Sequence, residues 1–375
     1  MAGIYVHIPY CRQACSYCDF HFSTLLKNKS DLLRTIAAEI EMRRNYLKGE
    51  RVDSIYFGGG TPSVMTSSEA RMLLGSINRQ FEVSSDAEVT LEANPDDLDL
   101  EKLNELRRLG FNRLSIGIQS FDEEVLQWMN RSHNATQALD AVAKAREAGF
   151  ENLTVDMIYG IPGRDNQYWQ SQMEQLLRLS VPHISAYALT VEKETMLDNW
   201  IRKGKTTAPD EDQAHEQFIS LSESLTAAGY EHYELSNFAR PGFRAVHNSA
   251  YWESRPYLGV GPSAHSYDGN SRQWNVSNNR LYHLAIESGE LNSERETLSM
   301  ADHLNEKVMT ALRTSDGLDL NEVDQQFGAE FRQHIMKEAN MMLEEGRLEL
   351  RGDQLHIPLK QRFYSDGIAS ALFYI

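Results

Sequence analysis

The chain has 375 residues, 41% hydrophobic and 24% charged, with 37 Lys and Arg against 54 Asp and Glu. Such a composition fits two ordinary globular domains or one large α/β domain with an appendage, and the formal charge of −17 disfavours generic binding to nucleic acid or anionic lipid outside a local basic groove. No apolar run is long enough to span a bilayer, and MAGIYVHIPYC lacks the basic and apolar regions of a signal peptide, so a cytoplasmic location is expected.

Short β-type runs alternate with helical patterns through the first 210 residues. Strands are expected at Ile4–Ile8, Ser54–Phe57, Glu88–Leu91, Arg113–Ile118, Leu153–Ile158 and Ile184–Leu189. Helices are expected between them, at Asp31–Tyr46, Ser67–Phe81, Leu100–Leu109, Glu123–Met129 with Ala135–Ala148, and Tyr168–Leu179. Thr66 with Glu69 and Asn134 with Gln137 have the spacing of capping boxes. Gly110 and Gly149 stand where a left-handed residue ends a helix. Six such units predict an α/β fold, a partial (β/α)6 TIM-like barrel left open at one side.

Polar, Gly-rich or Pro-rich segments follow the strands: the cysteines after the first, Gly58-Gly59-Gly60-Thr61-Pro62 after the second, Glu92-Ala93-Asn94-Pro95 after the third, and Gln119-Ser120-Phe121 after the fourth. The fifth carries Asp156 and the sixth Tyr187 and Ala188. Barrels of this kind build their active sites at those strand ends. Beyond the core (1–210), a barrel extension (211–299) is expected, opening on a helix near Asp210–Ala228 that leads into a Gly-, Asn- and Tyr-rich stretch to about Tyr267, then a C-terminal helical, winged-helix-like domain (300–375) with a hairpin at Gly352-Asp353. Acidic residues outnumber basic ones in that last segment, which argues against DNA binding.

All three cysteines of the chain lie on one short loop, Cys11, Cys15 and Cys18. An odd count on one loop is not a disulfide framework. Thiolates are the soft ligands that iron-sulfur clusters require, and three of them hold three irons of a [4Fe-4S] cluster while leaving the fourth open. A zinc site completed by His7 or His21 is the competing reading.

The spacing CxxxCxxC with Tyr17 before the last cysteine resembles the radical S-adenosylmethionine (radical-SAM) superfamily. The resemblance implies a radical-SAM barrel whose open iron chelates S-adenosyl-L-methionine. It also implies cofactor contacts at Tyr5, Tyr17, Gly59, Gly60, Thr61, Glu92, Gln119, Arg131, Asp156 and Ala188. A flavodoxin or ferredoxin would be the electron donor. The ordered motifs YVHIPYC, FGGGTPS, LEANP, SIGIQSF, DMIYGIPG, YELSNFARPG, HNSAYW and YLGVGPSAHS narrow the resemblance. They are similar to the family that joins oxygen-independent coproporphyrinogen oxidases and radical-SAM heme chaperones.

Two departures separate this chain from the oxidase branch. Phe20 stands where that branch has a further cysteine, and only Met1–Tyr10 precede Cys11. The segment His247-Asn248-Ser249-Ala250-Tyr251-Trp252 matches the HNxxYW motif of the chaperone branch. On chemistry alone His247 reads as a buried, hydrogen-bonded histidine; the resemblance implies that it is a heme ligand. It further implies delivery of heme to an acceptor hemoprotein, such as one of a respiratory chain, a role compatible with peripheral membrane contact. Coproporphyrinogen III dehydrogenation, or radical-SAM catalysis on another substrate, is the alternative.

Overall fold

The computed structural model describes residues 1–375. Six parallel strands form its frame: β1 (Ala2–Ile8), β2 (Val52–Gly59), β3 (Val83–Ala93), β4 (Arg113–Gln119), β5 (Asn152–Tyr159) and β6 (His183–Ala188). The connections are helical: α1 (Lys29–Met42), α2 (Ser67–Gln80), α3 (Leu100–Leu109), α4 (Glu123–Trp128) with α5 (Ala135–Glu147), and α6 (Asn166–Leu179). Both expected capping boxes form, at Thr66 and at Asn134. Gly110 ends α3 in the left-handed conformation.

The two faces of this sheet differ in chemistry because successive side chains point to opposite sides. One face carries Ile4, Val6, Ile55, Phe57, Leu91, Ile116, Val155 and Ile184, all at most 1% exposed, and belongs to a core cluster of 55 residues packed under the helices. The other face carries Tyr5, His7, Ser54, Tyr56, Glu88, Glu92, Arg113, Ser115, Thr154, Asp156, His183 and Ser185. The barrel therefore has a dry exterior layer and a polar interior.

Beyond β6 the chain extends the sheet at both edges. After α7 (Met196–Arg202) and α8 (Glu211–Ala227), β7 (Glu231–His232) and β8 (Asn237–Ala239) add to the sheet beside β6. The chain then crosses through α9 (Val246–Trp252) to the opposite edge. There β9 (Tyr257–Val260) pairs parallel with β1, followed by β10 (His265–Tyr267) and β11 (Ser271–Asn275). After α10 (Asn279–Glu287), β12 (Ser293–Thr297) completes a 12-stranded sheet. These strands of two to five residues are too short for a period-2 pattern to register in sequence.

Glu39 of α1 holds this added edge. Its fully buried carboxylate accepts from Tyr282 Oη at 2.6 Å, the Gly261 amide at 2.8 Å and Asn275 Nδ2 at 2.8 Å, and it pairs with Arg43 at 3.3 Å.

The C-terminal part has its own core cluster of 16 buried residues. Its order is α11 (Met300–Leu312), β13 (Leu318–Asp319), α12 (Leu320–Phe327), α13 (Ala329–Glu344), β14 (Glu349–Arg351) and β15 (Gln354–His356), with α14 (Leu359–Arg362) and α15 (Ser365–Ser370) closing the chain. The β13-β15-β14 sheet order gives the winged-helix arrangement expected from sequence. The Arg272–Glu306 ion pair and a 2.9 Å bond from the Ser315 amide to Tyr233 O tie this part to the sheet. No helix is long and apolar enough to cross a membrane.

Candidate functional site

The C-terminal ends of β2 to β6 and the cysteine loop enclose a cavity of about 370 Å³. Cys11, Cys15 and Cys18 stand on its wall, with Tyr17, Gly59, Gly60, Thr61, Glu92, Gln119, Arg131, Asp156 and Ala188. Positions spread over more than 170 residues of chain are thus brought onto one surface.

The cysteine loop is held from several sides. The Ser16 amide donates to Met129 O at 2.9 Å, the Leu197 amide to Ser16 O at 2.8 Å, and Asn130 Nδ2 to Ala14 O at 2.7 Å. Thr61 Oγ1 donates to Cys11 Sγ at 3.3 Å and Arg131 Nη1 to Cys15 Sγ at 3.2 Å. Burial pushes the Cys11 thiol up to about 11 and the Cys18 thiol to about 12. Ligation to iron would displace those protons, since only the thiolate binds metal.

The donor set fits a cubane cluster and not a single ion. No three His, Cys, Asp or Glu side chains converge closely enough to hold one metal ion. His7 has both ring nitrogens engaged, at 3.2 Å from Tyr5 Oη and 2.9 Å from His21 O, and His21 Nε2 lies 2.7 Å from Asn279 Oδ1. His7 therefore has no free nitrogen to complete a zinc site with the thiols, and His21 joins no three-ligand cluster with them.

The glycine run has a packing cause. A Cβ on Gly59, where φ is 106°, would fall 2.5 Å from the His7 ring, and one on Gly60 would fall 2.7 Å from Tyr10 O. Side chains here would push away the strand that leads into the cysteine loop.

Two half-buried carboxylates face the cavity. Burial raises Glu92 to about 7; a 2.8 Å bond from Tyr56 Oη opposes that rise and the nearby Asp156 adds to it. Burial also raises Asp156, against a 3.1 Å bond from Ser115 Oγ. Both groups gain from a ligand that brings hydroxyl donors or positive charge. Gln119 ends β4 at φ 66°, next to a register shift between Gly117 and Gln119. Such backbone costs ~1–3 kcal/mol and clusters at ligand sites. Arg131 Nη2 donates to Asn94 Oδ1 at 2.8 Å and Gly117 O at 2.7 Å, while its buried Nε has no partner. A polar cofactor with hydroxyl, amino and carboxylate groups fits this wall.

Tyr5 is placed differently from the other expected contacts. It does not line the cavity but stacks on Tyr56 at 6.2 Å, and Tyr56 is the wall residue. Sequence reading missed Tyr56, Arg113, Ser115 and Asn248 on the lining. The alternation of polar residues along each strand was the available signal for the first three. Phe20, 66% exposed, stands on the rim.

His247 lies on α9, 2% exposed, and does not open on the cavity. Its Nδ1 is 2.9 Å from Ser54 Oγ, its Nε2 is 2.9 Å from Tyr251 Oη, and its ring stacks on Tyr56 at 5.1 Å. Burial, aided by Arg113, lowers its pKa to about 3, so the imidazole is neutral. Glu88 accepts from the Val246 and His247 amides, both at 3.1 Å. Trp252 lies under Arg313 of the C-terminal part, 5.9 Å from ring centre to guanidinium carbon. The structure therefore does not bring His247 onto the cavity, although the next residue, Asn248, is part of its wall.

Residues 5–176 match the model of the Radical SAM superfamily, and residues 298–364 that of the HemN C-terminal domain. A protein of Mycobacterium tuberculosis named heme chaperone HemW is 33% identical over 99% of this chain and 94% of its own length. Proteins of the same name from Lactococcus lactis and Bacillus subtilis are each 34% identical, over 87% and 88% of this chain and 85% and 87% of theirs. Among solved structures, coproporphyrinogen III oxidase (HemN) from Escherichia coli superposes with a TM-score of 0.87 at 24% identity, over 99% of this chain and 90% of that one; that likeness shows the fold. The relatives' extent along nearly the whole chain shows that it belongs to the HemW heme chaperone family of the radical SAM superfamily.

Proposed function

We propose that this chain is a heme chaperone that binds heme through His247 and passes it to an acceptor hemoprotein, such as one of a respiratory chain. In the same reading it holds a [4Fe-4S] cluster through Cys11, Cys15 and Cys18, and S-adenosylmethionine in the adjoining cavity. The observation that carries the reading is the placement of the HNxxYW helix: α9 packs on the inner face of the barrel, with Asn248 in the cavity wall and His247 beside it. When bound, the cluster and its chelated cofactor supply one-electron chemistry, with a flavodoxin or ferredoxin as donor.

The protein's own groups have distinct tasks. Arg131 offsets negative charge at Cys15, and Thr61 does the same at Cys11 through its hydroxyl. Glu92 and Asp156 accept from hydroxyl or ammonium groups, and Arg131 Nε donates. Gln119 contributes an amide from a strained position. His247 has an imidazole kept neutral by burial, the form that ligates iron. Its Nε2 must first leave Tyr251. Phe20 at the rim, in place of a thiol, disfavours coproporphyrinogen III dehydrogenation, so turnover of coproporphyrinogen III under anaerobic conditions should be absent. Turnover comparable to an oxidase would replace the chaperone reading.

Heme titration of anaerobically reconstituted protein, followed by the Soret band, tests the heme site. His247→Ala should weaken heme binding at least about tenfold, ~1.4 kcal/mol, with iron-sulfur absorbance unchanged. Tyr251→Phe, which frees Nε2, should strengthen it. Unchanged heme affinity in His247→Ala would remove His247 from the assignment.

A further inference from the structure

We infer that Asn248 binds the adenosyl cofactor and that α9 makes cofactor and heme compete, so that cofactor binding drives heme off His247. The inference rests on the reading of both ligands given above. Asn248 stands in the cavity wall with Glu92, Arg131 and Asp156. Its side-chain amide makes no hydrogen bond within the protein, whereas His247 beside it uses both ring nitrogens. An unengaged amide, one donor group and one acceptor, suits the adenine edge or the ribose hydroxyls of a nucleoside.

The competition follows from the way α9 is held. Three contacts join it to the cavity wall. Asn248 is itself part of that wall. Tyr56 stacks on His247 and donates to Glu92 Oε1. Glu88 holds the first two amides of α9 and lies 3.6 Å from Arg113, another wall residue, whose Nε and Nη1 have no hydrogen-bond partner. In this packed position both nitrogens of His247 are occupied and the residue is buried. Heme is far larger than the space around the enclosed His247, so ligation needs α9 displaced. A cofactor bonded to Asn248 favours α9 as packed. The two ligands therefore select different positions of one short helix, and each must weaken the other by the same factor.

The test is heme titration by Soret absorbance with and without saturating S-adenosylmethionine, paired with equilibrium dialysis of labelled S-adenosylmethionine. In the wild-type protein the cofactor should raise the heme dissociation constant by about fivefold or more, the lower range of site-to-site coupling. Asn248→Leu, close in volume, should weaken cofactor binding several-fold and abolish the cofactor's effect on heme. Asn248→Ser serves if the leucine variant loses its iron. Wild-type protein that binds both ligands with unchanged or tighter heme affinity would overturn the competition. Unaltered cofactor affinity in both Asn248 variants would overturn the contact. Failure of the underlying reading shows up separately, as no heme binding or as heme binding indifferent to His247→Ala; the dialysis result still decides the role of Asn248.

Discussion

Cys15→Ser should leave the protein without its cluster: iron falls from about four per chain after anaerobic reconstitution to near zero, and the brown absorbance disappears. A serine hydroxyl does not ionise near neutral pH and is a poor ligand for iron compared with thiolate. It would also leave Arg131 without the sulfur that its Nη1 reaches at 3.2 Å. Cys11→Ser and Cys18→Ser should behave alike, because no other cysteine exists to substitute for either. Folding should survive, since the loop is anchored by backbone bonds to Met129 and Leu197 rather than by the sulfurs. A full iron complement in any of the three variants would refute the cluster assignment, and one bound zinc per wild-type chain would reinstate the mononuclear reading.

Glu39→Ala should cost about 3–5 kcal/mol, the usual penalty for removing one partner of a buried ion pair. Arg43 would be left buried with its charge uncompensated, Tyr282 Oη and the Gly261 amide would lose their acceptor, and Asn275 Nδ2 would keep only Gly261 O. Glu39→Gln should be milder, since it keeps an acceptor oxygen of the same reach. The loss reads as a lower urea midpoint and faster hydrogen exchange over β9 to β11 and α10, where the partners lie. Exchange in the separate core around Leu304, Ile335 and Leu355 should not change. Equal loss of protection in both regions would show that Glu39 does not act locally.

Much of the barrel was legible in the chain because its signals are local. Apolar and polar residues alternate through Ser54-Ile55-Tyr56-Phe57 and Arg113-Leu114-Ser115-Ile116. That alternation alone decides which residues meet the helices and which line the interior. Caps at Thr66 and Asn134 depend on residues three apart. The edges of the sheet were not legible. Strands as short as Glu231–His232 and His265–Tyr267 owe their conformation to pairing with distant neighbours, and so does the acceptor role of Glu39, whose bonds reach across more than two hundred residues.

The sequence by itself determined the clustering of all three thiols on one loop, the alternation that gives the six-stranded frame its polar interior and the family to which the chain belongs, because spacing and alternation are properties of neighbouring residues. Only the tertiary structure decided how the HNxxYW motif is placed. Adjacent residues of a helix point about 100° apart, so one neighbour turns its amide to the cavity while the other is enclosed by Ser54, Tyr56 and Tyr251. Which of the two meets the cavity depends on how α9 docks on β1 and β2, and that docking is set by contacts with Glu88 and Ser54, more than 150 residues earlier in the chain.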